Sequence, residues 1–236
     1  MKQHVSKTPI RLFITATDTD AGKTYAARLI TRALVNAGNS VAVYKPISAG
    51  CELIDDQWVN EDAALLQQAA NCQQNISEIN PIAFEQPIAP HIAAATLGES
   101  ISVSEVEQHY QAIEHNKADI LLTEGAGGWR LPLGNGEFLS SFAKRSKQKV
   151  VLVVNMKLGC LNHAVLTHEL IEADGLVCIG WIANCQRPDM PYLKENIAEL
   201  EKLLPMAKLA ELTFEHDIDK QLSQLNVNQL ISPLIG

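Results

Sequence analysis

Short apolar runs alternate with helix-period patterns along the chain. RLFIT at 11–15 reads as a buried strand. After it, Leu29, Ala33, Leu34 and Ala37 fall on one helical face, which predicts a helix from Gly22 to Ala37 with Gly38 as its stop. SVAVYK at 40–45 predicts a second strand, and NEDAALLQQAANC at 60–72 the start of a helix. Residues 73–100 are rich in Pro and Asn, with a further helix expected after Pro90. Ser102 and Glu105 have capping-box spacing before a helix that runs to about Asn116. DILLTE (119–124), VVLVVN (150–155) and LVCIGWIAN (176–184) are nearly continuous apolar runs, the type expected of strands covered on both faces. Helical patterns lie near 138–147, 163–173 and 191–204, and there is no internal repeat, low-complexity tract or linker.

Strand–helix alternation with doubly buried strands predicts an α/β fold. We expect a single doubly wound domain over 1–236, a mostly parallel sheet with helices on both faces. In such sheets ligands sit beyond the carboxyl ends of the strands. Chemistry is therefore to be sought just after each apolar run.

The first run is followed by TATDTDAGKT (15–24). The phosphate-loop pattern G-x-x-x-x-G-K-[ST] has glycine where this chain has Thr17. A helix beginning at about Gly22 would still offer unpaired N–H groups and a positive dipole end to phosphate. Lys23 would then reach the outer phosphates and the Thr24 hydroxyl would ligate Mg²⁺. The competing reading makes G-K-T a plain helix start with a surface lysine. The strand–loop–helix context favours the phosphate site, a P-loop-like arrangement.

Mg²⁺ needs hard oxygen ligands. Glu124 ends DILLTE before GAGG (125–128), and an acid closing an apolar strand is out of place unless it serves a site. In NEDAALLQ, Asp62 and Glu61 are equally eligible, and either reads also as ordinary helix-start chemistry. Lys45 ends the second strand before Pro46, where it would share a crevice with Lys23 or extend to water. Two cations beside one triphosphate would stabilise a transferring phosphoryl group. MKLGCLNH follows the run at 150–155 and opens a helix at about Asn162, a second anion site by the same helix-end logic. Cys160 there reads as a half-buried thiol with no base beside it, and His163 and His168 lack metal-binding i, i+4 spacing. Asn184 would read a nucleobase edge or serve as a turn residue.

Composition narrows the partners. The 236 residues are 47% hydrophobic, with a formal charge of -8. A pI near 5.4 argues against sequence-independent nucleic-acid binding, which needs a basic face. Cysteines 51, 72, 160, 178 and 185 form no C-x-x-C pair, so zinc and a disulfide framework are not expected. MKQHVSKTPI lacks a leader's apolar core, and no apolar run approaches the ~20 residues of a membrane span. A soluble, cytoplasmic protein is the expectation.

TDTDAGKT, YKPISAG, EDAALLQ, APHIAA, TEGAGGW, VNMKLGCLNHAVLTHELI and GWIAN, in this order, resemble the ATP-dependent dethiobiotin synthetase family between Arg11 and about Asn184. The resemblance implies a cyclo-ligase of biotin biosynthesis. One amine of 7,8-diaminopelargonate carries CO₂ as a carbamate, ATP phosphorylates it, and the second amine closes the ureido ring, leaving ADP and phosphate. It implies Lys45, Lys23 and Thr19 at the reacting groups, and Thr24, Asp62 and Glu124 on Mg²⁺. ATP would meet Asp20, Ala21, Gly22, Lys23, Thr24 and Tyr25, together with Asp62, Glu124, Gly125, Ala126 and Gly127. Asn184, with Cys185, would read adenine. The family is homodimeric, and the substrate would meet Ser48 and Ala49 and, across the interface, Leu158, Gly159, Cys160, Leu161 and Asn162. Its loop is one residue longer than the usual pattern, and the glycine that often opens it is Ala16 here. Asp20 replaces a frequent Glu, Ala49 an expected serine, and AELT (210–213) a GEIP stretch. A partitioning-type ATPase would place a lysine at Thr17, and a GTPase would require N-K-x-D, which NMKL does not supply.

Overall fold

The computed structural model describes residues 8–114, 118–185, 190–213 and 218–235. The N-terminal stretch through Lys7 and the expected helix end at Asn116 lie outside these residues. The first half holds β1 (Ile10–Ala16), α1 (Lys23–Asn36), β2 (Val41–Tyr44), β3 (Ile47–Ala49), β4 (Glu52–Ile54), β5 (Gln57–Val59) and α2 (Glu61–Ala69). There follow α3 (Ile76–Ile79), β6 (Ile82–Phe84), α4 (Pro90–Thr96), α5 (Val103–Glu114), β7 (Ile120–Glu124), β8 (Pro132–Gly134) and β9 (Glu137–Phe138). The remainder is α6 (Leu139–Arg145), β10 (Lys149–Asn155), α7 (Cys160–Ala173), β11 (Cys178–Cys185), α8 (Leu193–Leu203), β12 (Lys208–Thr213), α9 (Ile218–Leu222) and α10 (Val227–Ile235).

Six strands form one sheet in the order β12-β11-β10-β1-β7-β2. Every neighbouring pair in it is parallel. Alternate β1 residues feed different cores, as a strand's period of two requires. Leu12, Ile14 and Ala16 pack with Ala26, Leu29, Ile30 and Leu34 of α1, whereas Phe13 joins the opposite layer of α5, α6 and α7. Both faces are thus covered, which explains why these strands read as unbroken apolar runs. Among the described residues no helix is long and apolar enough to cross a membrane.

The edge strand β2 is capped by side chains instead of a further strand. Asn71 Oδ1 accepts from the Val41 N–H at 2.7 Å, and Gln74 bonds both the N–H and the carbonyl of Val43 at 2.8 and 2.9 Å. This satisfies groups that would otherwise recruit another chain. It gives a role to Gln74, at the start of the Pro- and Asn-rich 73–100 stretch, and to Asn71, which lies past the end of α2 within the expected 60–72 helical pattern.

Several boundaries differ from expectation. α1 begins at Lys23, with Gly22 outside it as a left-handed N-cap at φ 84°. α7 begins at Cys160, ahead of the expected Asn162, because Gly159 at φ 93° makes the turn. α4 begins at Pro90 itself, a proline in the first turn needing no N–H partner. The AELT stretch belongs to edge strand β12, and the short pairs β3/β6, β4/β5 and β8/β9 lay below the resolution of the periodicity.

Candidate active site

β1 hands the chain to the 17–22 loop while still in register with β10. The Thr17 N–H bonds the Val153 carbonyl at 3.0 Å, and Thr17 Oγ1 accepts from the Asn155 N–H at 3.2 Å. A glycine at 17 would lose the second bond, so threonine there is structural. Gly22 cannot be replaced in this way. A Cβ on it would lie 2.2 Å from Asn184 Nδ2, at a φ that side-chain-bearing residues avoid. Asn184 at the end of β11 donates to the Ala21 carbonyl at 2.8 Å, buried behind the loop, while its Oδ1 has no partner. No side chain caps α1, so its first N–H groups face the loop's concavity. Lys23 Nζ donates to the Asp18 carbonyl at 3.2 Å. Asp18 in turn binds Lys157 at 2.7 Å, which holds its carboxyl below the ordinary value.

Glu124, the last residue of β7, is only 1% exposed. Its Oε1 accepts from Thr24 Oγ1 and from Lys45 Nζ, each at 2.8 Å. Its Oε2 is buried without any hydrogen-bond partner. Lys45 Nζ also lies 3.2 Å from Asp62 Oδ2. Geometry therefore selects Asp62 over the exposed Glu61. Burial works against the Lys45 charge, but Glu124 and Asp62 outweigh it and hold the ammonium above its ordinary value. Lys23 goes the other way. Burial, aided by Lys45 and only partly offset by Glu124, pushes it down to about 8.

The bare Oε2, the Thr24 hydroxyl and the Asp62 carboxylate are hard oxygens of the kind a small divalent cation takes. Among the described residues no three His, Cys, Asp or Glu side chains cluster as a metal site. An ion here would complete its shell with water and phosphate oxygens, as Mg²⁺ commonly does.

Lys45 is held by its own backbone as well. Its N–H bonds the Ile79 carbonyl at 2.8 Å, and Asn80 Nδ2 donates to its carbonyl at 2.7 Å. Asn80 Oδ1 accepts from Ser48 Oγ at 2.5 Å, so the Ser48 proton is spent inside the wall.

These groups line a cleft of about 770 Å³. Thr19, Asp20, Ala21, Gly22, Lys23, Thr24, Lys45, Ser48, Ala49, Asp62, Glu124, Ala126 and Gly127 meet there as the sequence led us to expect. Tyr25, Gly125, Asn184 and Cys185 do not line it. Tyr25 packs against the α1 core, Gly125 lies under the Phe13 ring, and burial raises the Cys185 thiol to about 11. Leu158, Gly159, Cys160, Leu161 and Asn162 also lie outside the cleft of one chain. Leu158 is 98% exposed, whereas Cys160 is fully buried with its thiol pushed up by that burial. Sequence reasoning missed Asn60, Asn80, Ile47, Leu131 and the 87–90 segment. YKPISAG contains Ile47, NEDAALLQ begins at Asn60 and APHIAA covers Ala89 and Pro90, but none of these residues was given a role.

A family model described as "AAA domain" matches residues 10–221. The ATP-dependent dethiobiotin synthetase BioD of Alteromonas mediterranea is 47% identical over 217 residues, covering 88% of this chain and 93% of its own. Its counterpart in Pseudoalteromonas translucida is 44% identical, covering 84% and 87%. Among solved structures, the MinC:MinD cell division protein complex of Aquifex aeolicus aligns at TM-score 0.58 with 14% identity, over 96% of each chain. The cell division protein FtsY of Thermotoga maritima aligns at TM-score 0.52 with 12% identity, over 97% of this chain and 69% of its own. At such identities these two bear on the fold alone.

Proposed function

The chain belongs to the ATP-dependent dethiobiotin synthetase family, and from that premise we propose how its own residues carry the reaction. It forms dethiobiotin from 7,8-diaminopelargonate, CO₂ and ATP, with ADP and phosphate as products. The observation that carries this reading is the shared Glu124 carboxylate. It draws Thr24 and Lys45 to one oxygen and leaves the other bare beside the phosphate loop.

The 20–24 backbone and the α1 N-terminus hold the triphosphate tail, with Lys23 swinging from the Asp18 carbonyl to the phosphates. Thr24, Asp62 and Glu124 would hold Mg²⁺, which when bound would supply positive charge beside the phosphoryl oxygens. Lys45 faces the carbamate and the phosphoryl group it accepts, and stabilises the charge that develops between them. Thr19, Ala126 and Gly127 border the same space. The second amine then attacks the carbamoyl carbon of the mixed anhydride and phosphate leaves. Asn184 braces the loop from behind, and adenine would engage the free Oδ1. The exposure of Leu158 suits a homodimer in which the 158–162 turn of one chain meets the substrate carboxylate of the other. Unpaired cysteines suit a cytoplasmic protein.

Purified protein given MgATP and bicarbonate is expected to release phosphate only when the diamine is added. Equal release without it would favour the partitioning-type ATPase reading.

Lys23 adds a pH signature. Its pKa near 8, against an ordinary 10.5, leaves much of it neutral in the free protein at alkaline pH. A triphosphate alongside favours the charged form, so binding above that pKa takes up a proton. Affinity for ATP is expected to hold steady below about pH 8 and then to weaken, by at most ~10-fold per pH unit. Calorimetric titrations in buffers of different ionisation heat would register that uptake. A flat affinity and no uptake up to about pH 9.5 would show that Lys23 keeps its ordinary basicity.

A further inference from the structure

Asn60 is a cleft residue that the reaction described above does not use. It is 8% exposed and lines the same cleft as Lys45, Ser48 and Asp62. It also occupies the N-cap of α2, where an asparagine side chain ordinarily accepts a bond from the helix's first N–H groups. Here it makes no such bond, and its Oδ1 is buried without any partner. Its backbone carbonyl still accepts from the Ala64 N–H at 3.1 Å, so the helix start is formed and the side chain alone is uncommitted. Buried acceptors are normally satisfied, and one left bare in the wall of a cleft points to a donor that arrives with a ligand.

The chemistry of the ligands limits that donor. A triphosphate tail presents acceptors to this wall and cannot satisfy an amide oxygen. A divalent cation prefers the carboxylates and hydroxyl already gathered at Glu124. Residues two apart at a helix start do not face each other, and Asp62 is turned to Lys45. Asn60 therefore addresses a different part of the cleft. What remains is nitrogen: the diamine, before and after one of its amines becomes a carbamate, carries N–H groups at both reacting atoms.

We propose that Asn60 Oδ1 accepts a hydrogen bond from a nitrogen of the diamine substrate, and so selects and orients it for ring closure. This rests on the diamine reading above. Asn60→Leu removes the acceptor while keeping volume, and Asn60→Asp keeps an acceptor oxygen in the same place. The leucine variant is expected to raise KM for the diamine roughly 10- to 100-fold. Its affinity for MgATP should stay within about twofold, and its Tm should equal or exceed that of the parent, because no bond within the protein is lost. The aspartate variant should recover most of the diamine KM.

An unchanged diamine KM in Asn60→Leu would overturn the inference. So would a loss confined to ATP affinity, which would turn the carboxamide towards phosphate. A rise in the Mg²⁺ concentration needed for half activity, with diamine KM unmoved, would likewise overturn it in favour of a metal-bound water. The two readings fail separately. If the parent protein shows no diamine-dependent phosphate release, the proposed reaction is wrong. If the parent does and the leucine variant matches it, only the role of Asn60 is.

Discussion

Lys45→Met is expected to lower diamine-dependent phosphate release by about 10²–10³-fold, with affinity for ATP changed far less. In the proposed site nucleotide would be held mainly by the 20–24 backbone and Lys23, which this substitution leaves in place. Lys45 instead sits deep in the cleft wall, 2.8 Å from Glu124 and 3.2 Å from Asp62, with its backbone fixed by Ile79 and Asn80. In the proposed reaction an ammonium so constrained would be preorganised towards charge that appears only as the phosphoryl group moves. The same substitution strips Glu124 of its buried counter-charge, which by itself costs on the order of 3–5 kcal/mol. A fall in Tm is therefore expected, and it must be separated from the loss of chemistry. Adding Glu124→Gln to Lys45→Met removes the stranded charge and should return much of the stability, while turnover stays low. If folded Lys45→Met protein turns over at near the parent rate, Lys45 is only the structural partner of Glu124.

What the sequence disclosed follows from how local each signal is. The apolar runs at 11–15, 119–124 and 150–155 appear as β1, β7 and β10 because residues buried on both faces leave unbroken hydrophobic stretches. Glu124 was legible for the same reason, as a charge ending such a stretch. Lys23 and Thr24 could be singled out only through context, since a glycine-lysine-threonine triplet alone reads equally as a plain helix start, and the strand before it and helix after it favour a phosphate site. Residue pattern alone could not separate Asp62 from Glu61, since adjacent helix-start acids look alike; the resemblance favoured Asp62, and it is Asp62 that Lys45 reaches. Asn80 and Gln74 escaped notice because their work is on the edge of β2, more than thirty residues earlier in the chain. Ser48 seemed free for a ligand, yet its hydroxyl is given to Asn80. Asn184 was placed at a strand end correctly, but its contact with Gly22 exists only once β11 lies two strands from β1. Local pattern located the strand ends, and tertiary packing decided what each end touches.

Glu124→Gln should have an effect of similar size by a different route, and it should cost less stability than Lys45→Met, because Asp62 remains 3.2 Å from the Lys45 ammonium. The amide oxygen can still accept from Thr24 and Lys45, so both 2.8 Å bonds survive in outline. What changes is the bare position. Where Oε2 offers an anionic acceptor, the amide places an N–H₂ donor, which repels a cation instead of ligating it. The loss of Lewis-acid assistance is worth several kcal/mol, so turnover at fixed Mg²⁺ is expected to drop about 10²–10³-fold. The loss should be partly recoverable at high Mg²⁺, because Asp62, Thr24 and the phosphates remain to bind the ion weakly. Lys45→Met should show no such recovery, since no metal concentration restores its ammonium. Activity titrated against Mg²⁺ in the two variants therefore separates their roles. A Glu124→Gln enzyme whose Mg²⁺ dependence matches the parent's would place the cation elsewhere in the cleft and leave the bare Glu124 oxygen without a ligand.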